Sequence, residues 1–397
     1  MNWKMKFGRN WGRLGMKSKL SDICSYRKEK IAVAELDRGN YISTENMLPD
    51  KNGVTTATSL PTTIQTQKYA KGDILVSNIR PYFKKIWFAD KNGGCSNDVL
   101  VFKTKEGTDP RYLYYVLAND PFFEYSMATA KGTKMPRGDK KALMEYEVPD
   151  YDLKEQNKIA GVLSAIDDKI QLNNKINKNL EALEQAYFCN LFITNANSNW
   201  RYGTLSDLGT IVGGGTPSKK HPEYYAKYDI PWITPKDLSI DRSKFISRGE
   251  NDISELGFSN SSVTKMPKGT ILFSSRAPIG YIAIALNTVT TNQGFKSVIP
   301  NENVGSAFMY FLLKQALPTI EGMASGSTFK EISGSGMKSV PVVIPDDETL
   351  QNFSEFCIPL FEQQIILEAE NRRLSSVRDI LLPKLMSGKI DVANIDL

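Results

Sequence analysis

From Leu153 to Phe192 the chain carries no proline and a single glycine, Gly161, close to its start. Alternating steps of four and three residues from Ile159 land on Leu163, Ile166, Ile170, Asn173, Asn177, Leu180, Glu184, Tyr187 and Leu191, and seven of these ten positions are apolar. That period predicts a long helix with a coiled-coil seam. At 1.5 Å per residue it would be about 60 Å long, more than a small domain is wide, so its middle must lean on another long element. Leu172, Ile176 and Leu183 flank the seam and widen it. Asn173 and Asn177 stand where leucine would pack better; a buried asparagine costs stability but can fix register and partner choice.

A second such stretch runs from Thr349 to Met386. Its seam reads Leu350, Phe353, Cys357, Leu360, Gln364, Leu367, Asn371, Leu374, Arg378, Leu381 and Leu385, with eight of eleven positions apolar. Pro359 should kink this helix, and Pro383 should end or bend it. Asp152 and Asp347 are placed to cap the two helices. Each helix offers a seam, so the two can pair with each other.

The segments between the helices repeat. KGDILVSNIRPYFKKI at 71–86 is echoed by KGTILFSSRAPIGYI at 268–282, and Val148-Pro149-Asp150 by Ile344-Pro345-Asp346. Ser96-Asn97-Asp98 is echoed by Thr291-Asn292-Gln293, and the run 112–117 by 308–313. All these echoes lie 195 to 197 residues apart, so one architecture is used twice. Within the first copy, short β-branched runs such as 73–76 and 98–102 read as strands, separated by turns such as 91–94. Arg111–Leu117 reads as a short helix ending near Asp120-Pro121. The expected layout is an α+β fold: a globule over 1–150, a helix over 151–193, a globule over 194–346, and a helix with a tail over 347–397. Thr194–Asn199 would be a polar linker. Antiparallel pairing of the helices would relate the two mixed α/β globules by a pseudo-two-fold axis.

Composition narrows the class. A 41% hydrophobic content fits globular cores, and no apolar run is long enough to span a membrane. The basic start, MNWKMKFGRNWGRLG, has no apolar signal region, which predicts a cytoplasmic protein. Cys24, Cys95, Cys189 and Cys357 are far apart and His221 is the one histidine, so neither a metal site nor a disulfide framework is expected. The net charge of +6 permits a polyanionic partner.

A pseudo-two-fold protein with diverged globules suits duplex DNA, whose backbone has matching local symmetry. The loops carry suitable chemistry, since lysine and arginine neutralise phosphates while hydroxyls and amides read base edges. Residues 131–141, KGTKMPRGDKK, hold Lys131, Lys134 and Arg137 among five cations. The matching stretch at 325–338 is polar, glycine-rich and carries Lys330. Gly213-Gly214-Gly215 leads into Thr216, Ser218, Lys219 and Lys220, a flexible loop on this reading. Lys68, Lys84 and Lys236 complete the candidate contacts, with Arg80 and Arg276, which end aligned strands beside Pro81 and Pro278. Those two arginines either touch DNA or support their loops.

LSAIDDKIQLNNKINKNLEALEQAYF at 163–188, RDILLPKLMSGKI at 378–390 and GGGTPSKK…IPWITPKDL at 213–238 together resemble the specificity subunits of type I restriction-modification systems. The resemblance spans nearly the whole chain. It implies two target-recognition domains, each reading one half of a bipartite site in double-stranded DNA. It also implies that the seam helices act as spacer and docking surface for two adenine-methylating modification subunits, joined by two restriction subunits that supply translocation and cleavage. S-adenosylmethionine, ATP and magnesium would then sit on those partners and none on this chain.

The competing readings are an enzyme in its own right and a coiled-coil adaptor that binds no nucleic acid. Against the first, Asp120-Pro121-Phe122-Phe123 lacks the second proline of an amino-methyltransferase motif and reads as a helix stop. Pro149-Asp150 with Asp152 and Lys154 is too tightly spaced to bring two carboxylates to one metal. No P-loop is present. Binding to a specific duplex would exclude the adaptor.

Overall fold

The computed structural model describes residues 17–326, 330–390 and 392; the basic stretch before Lys17 and most of the tail lie outside them. Both long helices are present, Leu153–Cys189 and Asp347–Met386. The first is capped as expected: Asp152 Oδ1 accepts from the Glu155 N–H at 2.9 Å, and Glu155 answers to the Asp152 N–H at 3.0 Å. It closes in one π-helical turn, Asn190–Thr194, which takes up the start of the anticipated linker. The second cap is Asp346, not Asp347: Asp346 Oδ1 accepts from the Thr349 N–H at 2.8 Å. Asp347 is the first helical residue and accepts from Asn303 at 2.8 Å.

Neither Pro359 nor Pro383 interrupts the second helix. A proline leaves the carbonyl four residues back without its partner. Both prolines are exposed, so that carbonyl can meet water.

The chain forms two compact units, each taking one end of both long helices. The first unit comprises the residues up to Ile170 with those from Arg373 onward. One sheet orders Cys24–Tyr26, Val99–Thr104, Ile74–Ser77 and Ile86–Phe88, all antiparallel. Another orders Lys30–Ala32, Gln65–Tyr69, Gly93–Cys95 and Tyr41–Ile42, the last pair parallel. The helices Pro110–Ala118 and Asp120–Ala128 bury Leu113, Tyr115 and Phe122 against the first sheet and against Ile159, Leu163, Leu382 and Leu385 of the long helices. Asp120-Pro121 therefore starts a helix as well as following one: Asn119 is its cap residue, and Pro121 occupies the first turn, where its missing N–H is not needed.

The second unit, Gln171–Arg372, repeats this plan. Its larger sheet orders Gly209–Gly213, Lys296–Pro300, Ile271–Ser275, Ile279–Ala285 and a fifth strand, Phe245–Ile246. Its smaller sheet orders Tyr225–Ala226, Asn251–Ile253, Ile230–Ile233 and Thr290–Thr291. Phe308 and Phe311 of the helix Gly305–Met323 pack on Phe188 and Phe353 of the two long helices.

Within each unit the long helices run antiparallel. In the first, Asp167 meets Arg378 and Tyr151 donates to the Leu385 carbonyl. In the second, Asn173 donates to Glu370 and Asn371, Gln364 donates to the Asn177 carbonyl, and Tyr187 packs on Phe356. Leu163, Asn173, Glu184 and Leu367 are buried, while Ile166, Ile170, Asn177, Leu180, Leu360, Asn371, Leu374 and Leu381 are half-buried. Leu172 and Leu183 do not widen the seam; they are 52% and 50% exposed. Near the end of the first helix, Phe188 and Phe192 are buried more deeply than the expected Tyr187 and Leu191. A straight helix turns every 3.6 residues, so a 3.5-residue seam drifts by about 20° per heptad and slips one residue over this length.

Candidate nucleic-acid interface

Four loop segments meet at the ends of the strands in each unit, joined by the same backbone hydrogen bonds. In the first, Tyr41–Ile42 lies parallel to Gly94–Cys95, and the Ser96 N–H reaches the Ile42 carbonyl at 2.8 Å. The Asn78 N–H donates to the Asp98 carbonyl at 2.8 Å, and the Gly138 N–H to the Asn78 carbonyl at 3.3 Å. Lys131 and Arg137 exchange two N–H···O bonds that close a small hairpin, which the Arg80 N–H joins through the Pro136 carbonyl.

The second unit repeats these links, apart from that of the Arg80 N–H. Trp232–Ile233 lies parallel to Thr290–Thr291, the Asn292 N–H reaches the Ile233 carbonyl at 3.0 Å, and the Ser275 N–H reaches the Gly294 carbonyl at 2.8 Å. The Ile332 N–H donates to the Ser275 carbonyl at 3.1 Å, and Ser325 and Glu331 exchange the hairpin pair. Ser43 and Asn46 form a turn in which the Ser43 N–H donates to the Asn46 side chain at 2.6 Å. Thr234 and Asp237 do the same at 2.7 Å. Arg80 and Ala277 share a left-handed backbone, with φ of 50° and 53°. Arg80 and Arg276 are therefore neighbours in this frame, not equivalents: Arg276 matches Ile79, since these residues bridge to Glu331 and Arg137 respectively.

The frame brings Arg80, Lys131, Lys134 and Arg137 together in one unit and Thr216, Lys236, Arg276 and Lys330 in the other. Lys134 and Lys330 are exposed. Lys131 pairs with Asp139 at 2.6 Å and Arg137 with Asp98 at 3.2 Å; both cations are more than half exposed. The Lys131 ammonium, with the N–H groups of Ala142 and Lys141, pulls the Asp139 carboxyl down to about 2. Arg276 pairs with Glu331 at 3.2 Å, and Lys236 with Glu250 at 2.5 Å, which raises the Lys236 pKa. Arg80 is half-buried, and its Nε has no hydrogen-bond partner.

Other expected contacts fall elsewhere. Lys84 pairs with Asp120 at 2.9 Å at a helix start. Lys68 is half-buried in a strand opposite Gly94. The glycine loop is not free: the Gly215 N–H donates to the Thr291 carbonyl, Trp232 Nε1 donates to the Gly215 carbonyl, and a Cβ on Gly214 would lie 1.9 Å from the Asn292 oxygen. Only glycine allows that approach. Ser218, Lys219 and Lys220 follow it and are exposed.

Two features have no counterpart among the expected site residues. One is a polar pocket of about 350 Å³ in the first unit, lined by residues 43–46, 55–61, 96 and 98 with Tyr41. The repeat of Ser43-x-x-Asn46 in Thr234-x-x-Asp237 was its one sequence signal. The other is Lys244, whose side chain is 4% exposed. It pairs with Glu184, donates to Gln364 at 2.9 Å, and lies over the rings of Tyr310, Phe311 and Phe361. The Lys244 and Phe245 N–H groups donate to Glu368. Burial lowers the Lys244 pKa, raises that of Glu184, and pushes the Glu368 carboxyl up to about 7.

The duplicated frame coincides with a duplicated family match. The type I restriction modification DNA specificity domain matches twice, over residues 15–182 and 197–374. The chain belongs to this family. The specificity subunit of the MjaIX type I restriction enzyme of Methanocaldococcus jannaschii is 45% identical over a stretch covering 39% of this chain and 36% of that one. The HindI specificity subunit of Haemophilus influenzae is 26% identical over 81% of this chain and 87% of its own length. Among solved structures, the type I S subunit from M. genitalium aligns with a TM-score of 0.61 at 20% identity, covering 97% of this chain and 99% of that one. That likeness supports the fold, two recognition domains with long helices. Specificity subunits are the non-catalytic, DNA-recognising members of type I restriction-modification complexes. Among the described residues no helix is long and apolar enough to cross a membrane, and no group of three or more His, Cys, Asp or Glu residues could hold a metal.

Proposed function

We propose that each loop cluster of this chain reads one half of a bipartite duplex site and thereby directs adenine methylation and restriction by partner subunits. The observation that carries this reading is the duplication: matching backbone links between strand ends, loop and hairpin hold the two clusters, while the side chains they present differ. Lys131, Lys134 and Arg137 contact phosphates in the first cluster, and Arg276 and Lys330 in the second. Two modification and two restriction subunits assemble with the chain in the cytoplasm, bringing S-adenosylmethionine, ATP and magnesium with them. The exposed Leu172, Leu183, Ile358 and Ile366 on the long helices offer apolar surface for that docking.

The test is an exchange of residues 17–149 for the matching region of a relative, assembled with the modification subunit. Sequencing of methylated adenines should show one half-site replaced and the other retained. Replacement of both halves, or of neither, defeats independent reading. Within the first cluster, Lys134→Ala with Arg137→Ala should weaken binding and flatten its salt dependence by up to about two phosphate contacts' worth of slope.

A further inference from the structure

We propose that the pocket beside the basic hairpin of the first unit is a base-reading site, with Glu45 accepting a hydrogen bond from the exocyclic amino group of a cytosine in the first half-site. This rests on the DNA-reading function proposed above. The pocket is open and polar: Thr44, Thr56, Thr58 and Ser59 bring hydroxyls to it, and Thr56, Thr58 and Ser59 are exposed.

Its walls are already committed. Asn46 is buried and spends its side chain on the Ser43 N–H and on the carbonyls of Tyr41 and Thr55. Lys85 donates to the Thr44 carbonyl at 2.7 Å. Asp98 lines the pocket and pairs with Arg137, so the pocket directly adjoins the phosphate-binding hairpin. Glu45 differs from these groups. It is exposed, its backbone N–H is held by Ser43 Oγ at 3.2 Å, and its carboxylate feels the charge of Lys85, whose ammonium is bonded to the Thr44 carbonyl.

A carboxylate only accepts hydrogen bonds, and among major-groove edges cytosine offers an amino donor without an acceptor on the same base. Adenine sets N7 beside its amino group and would repel the second carboxylate oxygen. At the matching position of the second unit stands Lys236, a donor already paired with Glu250. The two clusters thus present opposite charges at one place in a shared frame, as readers of different sequences would.

The experiment maps methylated sites made by the full chain assembled with its modification subunit, comparing the parent with Glu45→Ala and Glu45→Gln. The side chain is exposed, so melting curves of the isolated variants should match the parent. Discrimination at one position of one half-site should fall about tenfold to a hundredfold in both variants, with the other half-site unchanged. Unchanged sites in both variants would overturn the assignment. So would a loss of preference for a base other than cytosine, or changes in both halves. Absence of any sequence-specific methylation by the parental assembly would instead remove the DNA-reading function, and this inference with it.

Discussion

The two units fasten their globules to the long helices by opposite arrangements of charge. In the first, Asp167 of the first helix accepts from the Tyr115 hydroxyl at 2.7 Å and pairs with Arg378 of the second helix at 2.9 Å. Water reaches this pair, whose side chains are 15% and 27% exposed. In the second unit, Glu184 stands 194 residues before Arg378, the same offset that separates the caps Asp152 and Asp346. The cation comes from the globule as Lys244, just before the fifth strand of the larger sheet, which has no counterpart among the described residues of the first unit's four-stranded sheets. One position on the scaffold therefore accepts either sign of charge, provided the other elements supply its complement. The difference lies in solvent: a half-buried pair that water reaches costs less to lose, whereas a fully buried pair becomes costly once one member is removed.

The sharpest way to break this contrast is Lys244→Met. It strands Glu184 in the core and should destabilise the second unit by about 3–5 kcal/mol in urea unfolding. Adding Glu184→Leu should recover most of that loss, because apolar replacements of a whole buried pair are often neutral. A single variant as stable as the parent would mean that the two anchors are equivalent.

Next is the response to pH. Glu368 titrates at about 7 in the fold and near 4.3 when unfolded, so between these values the folded chain holds a proton that the unfolded chain releases. Its contribution is fully present below the unfolded value and is lost as pH rises to 7, at most about 1.4 kcal/mol per pH unit. Subtracting the stability of Glu368→Gln from that of the parent should isolate this slope. A flat difference from pH 4.5 to 7 would show that water solvates the carboxylate.

The smallest effect is expected for Arg378→Ala. Tyr115 still donates to Asp167, and the lost pair is partly wet, so the cost should be about 1 kcal/mol in the same unfolding measurement. A cost equal to that of Lys244→Met would erase the distinction.

The helices, their antiparallel seams, the cap at Asp152 and the twofold repeat were all legible, because period, capping and repetition are written locally. The second cap was misplaced by one residue because Asp346 and Asp347 are chemically alike, and the loop geometry decides between them. Lys244 was invisible because Arg242-Ser243-Lys244 reads as an ordinary polar turn; its burial depends on aromatic rings more than sixty residues away. The candidate site was legible where it is cationic, at Lys131, Lys134 and Arg137. The pocket at residues 43–61 was not, since hydroxyls and a single glutamate in a loop carry no period and no charge excess. At Lys84 the sequence shows a cation but not its Asp120 partner, which the fold brings from a helix start.

The loop clusters are fastened by main-chain hydrogen bonds, and several of the side chains they present to solvent hold nothing else in place. Substitutions at Thr56, Thr58, Ser59 or Lys134 should therefore leave folding almost untouched. A lineage could pass through many such changes without losing the protein. Recognition in this molecule can drift, or be exchanged wholesale, under selection that acts on the target alone.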